Sequence, residues 1–228
     1  ERERETLLGL LNFLAFLLVT GYAVYLAAHL LYTRYTFIRL GKPGDFKGDA
    51  NKRVREFLVQ VFGQKKLLKD KKSGIMHVVM FYGFIILQFG AVELIVKGLI
   101  PGWELPLGEG HNYFSLFQEI TVMAVLLATG YAFYRRYVEK LPRLKRGLKA
   151  GIVLIFLFSL MLSVLFSLAF EALWLGRGAS PFAPVSSLIM QPFMGLGENA
   201  AQALFYVFWW AHLLILLSFA VYVPQSKH

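Results

Sequence analysis

Residues 7–32, LLGLLNFLAFLLVTGYAVYLAAHLLY, contain no Asp, Glu, Lys or Arg. A helix needs about 20 apolar residues to cross the hydrocarbon core of a bilayer. Lipid offers no partners to open backbone groups, so an apolar run of this length must be helical. Four more runs follow, at 75–96, 113–134, 150–174 and 200–223, and the last is likewise free of charge. None shows the two-residue alternation of a strand. Hydrophobic residues are 57% and charged residues 17% of the 228-residue chain, with a mean hydropathy of +0.56. Those values lie outside the range of ordinary soluble domains. The fold expected is all-α, a five-helix transmembrane bundle forming one domain over residues 1–228.

The net charge of +10 is placed unevenly. Residues 34–72 carry twelve Lys and Arg, and residues 135–149 carry seven. The two intervening loops, 97–112 and 171–199, carry one each, Lys97 and Arg177. Basic loops stay on the cytoplasmic side, which predicts an N-terminus outside and a C-terminus in the cytoplasm. The charge thus reports topology and contact with lipid headgroups, not nucleic acid. Residues 41–45 read as a turn. Val54, Leu58, Val61 and Phe62 recur at helical spacing among Lys and Arg, which predicts a short amphipathic helix on the inner face. Residues 185–194 suit a re-entrant or surface helix, and Pro224 ends the fifth span.

There is no cysteine. The chain therefore cannot ligate an iron–sulfur cluster through thiolate, form a disulfide or attach haem covalently. Glu1 at the start and the abrupt end at His228 read as cuts in a longer protein. No phosphate-binding glycine loop, zinc-spaced His-Glu pair or nucleophile elbow is present.

Five histidines remain: His29, His77, His111, His212 and His228. An ionisable residue inside a membrane is a functional candidate by default, and neutral imidazole is a usual ligand of b-type haem. His29, His77 and His228 lie at inner ends of spans. His212 lies roughly 16 Å deeper than Val223 at 1.5 Å per residue. One haem cannot serve both His77 and His212, whereas two stacked across the bilayer could. For His29 and His111 the alternative is a plain interfacial histidine. His77, Phe81, Phe84 and Gln88 share one helix face, and Phe205, Phe208 and His212 another. Such faces suit a porphyrin wall, although Phe stripes also serve plain helix packing. Glu93, Glu119 and Glu171, with Lys97 and Gln118, are candidates to line an outer quinone pocket and pass protons. The simpler expectation for these carboxylates is that they sit wet at headgroup level.

Two stretches carry a family resemblance: residues 73–84, SGIMHVVMFYGF, and residues 209–214, WWAHLL, leading to VPQSKH at 223–228. Both resemble the membrane cytochrome b domain of the nitrate reductase gamma-subunit superfamily. More narrowly they resemble the membrane part of heterodisulfide reductase-related iron–sulfur oxidoreductases, including those that pass electrons from electron-transfer flavoprotein to menaquinone. The resemblance implies a quinone-linked oxidoreductase of a prokaryotic cytoplasmic membrane, with haem b as cofactor (one or two) and menaquinone as substrate. It implies a cytoplasmic iron–sulfur domain or subunit as partner, beyond residue 228 or on another chain. It carries His77 over as ligand of an inner haem and His212 as ligand of an outer one. His228 would be the inner partner, or His29 in its place. The family's second histidine, about ten positions after the first, is absent here: the region reads Ile86-Leu87-Gln88. His111, Met123 or Met161 is left as the possible outer partner. Two other classes compete. A small transporter or channel would show discontinuous helices or repeat symmetry, and an inert anchor leaves His212 unexplained.

Overall fold

The computed structural model describes residues 2–42, 44, 48–142, 144 and 147–225. His228 and residues 43 and 45 of the expected turn at 41–45 lie outside the described residues. Seven α-helices follow in chain order: α1 Arg2–Arg39, α2 Ala50–Phe57, α3 Lys71–Leu99, α4 Gly110–Phe133, α5 Leu148–Trp174, α6 Pro184–Met190 and α7 Glu198–Tyr222. No strand occurs among the described residues. Five helices (α1, α3, α4, α5 and α7) are long and apolar enough to cross a membrane, as expected from the five apolar runs.

The helices start and stop where local chemistry dictates. The Asp70 side chain caps α3 by accepting from the Ser73 amide at 3.3 Å, and Asp49 caps α2 through the Asn51 amide at 2.9 Å; each satisfies an orphan donor of a first turn. Pro184 occupies the first turn of α6, where a missing N–H costs nothing. Past Tyr222 the chain tightens into a 3-10 turn, Val223–Gln225, that contains Pro224.

The bundle proper is α3, α4, α5 and α7. Two buried clusters fill it. Leu87, Val122, Val125, Leu160, Met161 and Leu165 join α3, α4 and α5. Leu94, Phe170, Phe205, Trp209 and Leu213 join α3, α5 and α7. Lipid supplies no hydrophobic drive between helices, so close approach of small residues matters more than apolarity. A Cβ on Gly83 would overlap Val125 of α4, and one on Gly98 would overlap the Trp209 indole of α7. The Trp209 Nε1–H donates to the Leu94 carbonyl at 2.8 Å.

Helix α1 lies outside this bundle and presents most of its surface outward. Asn12 ties it to the bundle. The amide donates to the Gly98 carbonyl of α3 at 2.9 Å and accepts from the Trp210 indole of α7 at 3.0 Å. At 38 residues α1 is about 57 Å long, longer than residues 7–32 led us to expect.

Contacts between loops sort the two ends. Arg135, at the end of α4, reaches Asp70 at the start of α3 at 3.9 Å, so the basic segments meet at one end. Arg177, after α5, pairs with Glu104, between α3 and α4, at 2.7 Å at the other. At the basic end the expected amphipathic segment is present as α2, continued by a π turn, Leu58–Phe62. Val54, Phe57, Leu58 and Phe62 all point outward. Tyr82 of α3 holds the segment by donating to the Phe62 carbonyl.

Candidate functional site

A cavity of about 260 Å³ opens between α3, α4, α5, α6 and α7 in the half of the bundle away from the basic loops. It runs from Glu104 and Arg177 in the loops down to His212 and Leu216 on α7. Its walls are mainly apolar side chains such as Leu87, Leu94, Met161 and Val164, with a few polar groups converging on them. That composition is the ordinary one for a small-molecule site, and the volume sits near the lower end of such sites, about 300 Å³.

At the deep end stands His212, 2% exposed. Ser163 of α5 fixes its protonation. The Ser163 hydroxyl donates its single hydrogen to the Leu160 carbonyl at 2.7 Å. With that hydrogen on Leu160, the oxygen 3.0 Å from His212 Nδ1 accepts, which assigns the imidazole proton to Nδ1. The lone pair is left on Nε2, which is buried and has no partner. A buried imidazole nitrogen without a partner is costly in apolar surroundings. A hydrogen bond holding one ring nitrogen while the other is bare is the usual arrangement of a metal-ligating histidine.

At the shallow end an ion-pair chain lines the cavity. Lys97 lies 3.2 Å from Glu93 on its own helix and 2.8 Å from Glu171 of α5. Glu93 also meets His111 Nε2 at 3.1 Å and accepts from the Leu105 amide at 3.3 Å. His111 Nδ1 lies 3.5 Å from Glu104, which Arg177 holds from the other side. The expectation of wet carboxylates is therefore corrected: Glu93, Glu119 and Glu171 are 6%, 1% and 3% exposed. They tolerate burial because each has charge-assisted partners, drawn from helices distant in sequence.

Glu119 and Gln118 behave differently from the others. Glu119 accepts from the Val185 amide at 2.7 Å, from the Ser186 amide at 3.1 Å and from the Ser186 hydroxyl. It fastens α6 over the cavity and is spent in doing so. Gln118 donates to the Ile86 carbonyl at 3.3 Å, leaving its buried carbonyl oxygen without a partner where it faces Gly90.

The remaining candidates lie apart. Phe84 packs on Phe219, and Leu94 receives the Trp209 indole, so α3 and α7 run antiparallel in fixed register. His212 thus stands level with Ala91, whereas His77 lies further along α3 toward the basic end. His77 and Ala91 are fourteen residues apart, about 21 Å along the axis, which separates His77 from the cavity. His77 is half-buried, stacks on Phe81 and has a buried Nδ1 without a partner. His29 is exposed on α1 and stacks on Tyr25. His111 does fold inward, but both its ring nitrogens face carboxylates. Met161 lines the cavity, and Met123 packs on the neighbouring core cluster. Among the described residues no three His, Cys, Asp or Glu side chains converge as a metal cage; axial ligation of haem needs only one or two.

Sequence reading missed Ser163, Glu104 and Asn12. Each acts through a partner on another helix or loop, and none belongs to a motif.

Two curated proteins resemble the chain. It is 54% identical over 217 residues, 95% of its length, to the probable iron-sulfur-binding oxidoreductase FadF of Bacillus subtilis. It is 25% identical over 191 residues, 77% of its length, to the EtfAB:quinone oxidoreductase of Syntrophomonas wolfei. The matches cover 31% and 26% of those proteins, so the chain spans about a third or less of the relatives it matches. No family model matches the chain, and no solved structure matches it at a significant level.

Proposed function

We propose that this chain is the membrane electron-transfer part of a quinone-linked oxidoreductase, with b-type haem as resident cofactor and a quinone bound in the cavity. The observation that carries the reading is the bare, buried Nε2 of His212 at the closed end of a mostly apolar cavity. Haem, when bound, supplies one-electron transfer. His212 would hold one haem through Nε2, oriented by Ser163. His77 would hold a second near the basic end, with His228 its candidate partner. The 21 Å between the two histidine levels is why two cofactors are assigned and not one.

The residues around the cavity bind and exclude. Leu87, Leu94 and Val164 keep water from the ring system of a bound quinone. Lys97 offers a donor to the quinone oxygens, and the free oxygens of Gln118 and Glu171 can accept from the hydroxyls of the quinol. The names of the two relatives, one iron-sulfur-binding and one acting on quinone, support this assignment. The likeness to the nitrate reductase gamma-subunit superfamily and menaquinone as the quinone belong to the same proposal. So do a prokaryotic inner membrane, a cytoplasmic basic end, and an iron–sulfur module fed by electron-transfer flavoprotein. The long helices run uninterrupted, unlike the broken helices expected of a transporter.

A spectrum of the purified protein tests the reading. Dithionite reduction is expected to give a b-haem α-band, with a matching pyridine haemochrome. H77A and H212A are expected to remove different spectral components. A folded, haem-free preparation from cells supplied with haem would refute the assignment, and loss of one common component in both variants would refute two separate sites.

A further inference from the structure

We propose that Glu104, His111 and Glu93 form a proton relay from the aqueous face at the Glu104–Arg177 loops to the cavity. Protons consumed when quinone is reduced there would then come from the face opposite the basic loops. The inference rests on the quinone reading of the cavity and adds the side and path of its protons.

The geometry is graded from wet to dry. Side-chain exposure falls from 38% at Glu104 and 43% at Arg177, through 14% at His111, to 8%, 5% and 4% at Glu93, Lys97 and Glu171. His111 links the rim to the interior, with Nδ1 toward Glu104 and Nε2 toward Glu93. An imidazole so placed can accept a proton on one nitrogen and release one from the other.

Charge makes the link bistable. Glu93 and Lys97 of α3, Glu171 of α5, and Glu104 and Arg177 of the loops face His111 or its immediate partners. These are three carboxylates against two cations, so the group is balanced only when His111 is imidazolium. On the remaining walls, Glu119 of α4 is committed to α6, and α7 offers only His212. Loss of one proton to the cavity therefore leaves a net negative cluster that draws a replacement from the rim. Glu171 retains a buried carboxylate oxygen without a partner, an open acceptor beside the ligand.

Quinone plus two electrons and two protons gives quinol. The electrons are supplied by reduced iron–sulfur clusters, one at a time. For each proton, His111 gives its Nε2 hydrogen to Glu93, which gives it to the quinone oxygen. That leaves the Nδ1–H tautomer; the ring then turns to bring its bare Nε2 to Glu104, which passes on a proton taken from the aqueous phase and so restores the imidazolium. Lys97 stays an ammonium and holds the two interior carboxylates in place.

The test uses the full-length holoprotein with a soluble naphthoquinone. Equilibrium binding is measured first, then reduction rate, then proton uptake in proteoliposomes carrying a pH dye. His111→Gln is expected to slow reduction by about 100-fold while binding changes by less than about threefold. Imidazole added to His111→Gly is expected to restore rate, which a purely structural role would not allow. Should His111 variants fail to assemble, Glu104→Gln at the exposed rim is expected to slow the reaction in the same sense. Wild-type proton uptake is expected from the Glu104 face. Normal binding with an unchanged rate in assembled His111→Gln or in Glu104→Gln, or uptake from the basic face, would overturn the relay alone. No quinone binding by the wild type would overturn the site reading and the relay with it.

Discussion

Replacing Lys97 with Met removes the only cation between two buried carboxylates. The ammonium stands 2.8 Å from Glu171 and 3.2 Å from Glu93, and all three side chains are less than a tenth exposed. Breaking a buried ion pair costs about 3–5 kcal/mol, because the surviving charge is left uncompensated. The cost does not double here. Glu93 keeps His111 and the Leu105 amide, so the stranded group is Glu171, one of whose oxygens already has no partner. For a chain of this size 1 kcal/mol moves the melting temperature by about 2–4 °C. K97M is therefore expected to melt about 6–20 °C lower, followed by tryptophan fluorescence in detergent. K97M/E171Q, which also removes the stranded charge, is expected to recover more than half of that loss. The reasoning fails if K97M melts within about 2 °C of wild type, or if the double variant is no better than the single one.

Three further changes probe how the site is held. G98A puts a methyl group into the Trp209 indole and is expected to cost about 1–3 kcal/mol, with an altered tryptophan emission spectrum; an unchanged melt and spectrum would show that α3 and α7 do not approach this closely. E119A strips two amides and a hydroxyl of their acceptor, so amide exchange in α6 is expected to rise about 10- to 100-fold while α4 and α5 stay protected, as read by mass spectrometry. E119Q keeps one acceptor and is expected to fall between E119A and wild type. N12L removes both hydrogen bonds of Asn12 and is expected to cost about 1 kcal/mol, since interhelical hydrogen bonds in membranes average about 0.6. The distribution of spin-label distances between α1 and α7 is expected to broaden, and an unchanged distribution would mean that α1 is held by apolar packing alone.

Length and hydropathy were enough to place the five long helices, because a span declares itself locally. The amphipathic α2 and the short α6 were legible for the same reason, as periodicity and a proline start. Carboxylate burial was not legible. Glu93 and Lys97 are four apart and visibly paired on one helix, but the decisive partners, Glu171 and His111, arrive from α5 and α4. Nothing in residues 90–99 says which residues of later spans will face them. His212 was singled out for its depth alone; what prepares its Nε2 is Ser163, an ordinary serine in an apolar helix until the fold sets it against the ring. His111 was read as interfacial or as a haem partner. Its ring turns inward between Glu93 and Glu104, and these two carboxylate contacts give it a different part from either.

Asn12 imposes an order on biosynthesis. Its two partners lie 86 and 198 residues downstream. At about 5–20 residues per second, Trp210 is made roughly 10–40 s after Asn12. Until Trp210 is made, α1 carries an amide that lacks at least one of its two partners, and a polar group without partners in lipid is unfavourable. The four-helix bundle must close before α1 has a surface to settle on. Made before the four helices of the bundle, α1 is thus the last of the five to find its place, and any delay in making α7 lengthens the time it spends as a separate, sticky rod open to the wrong neighbour.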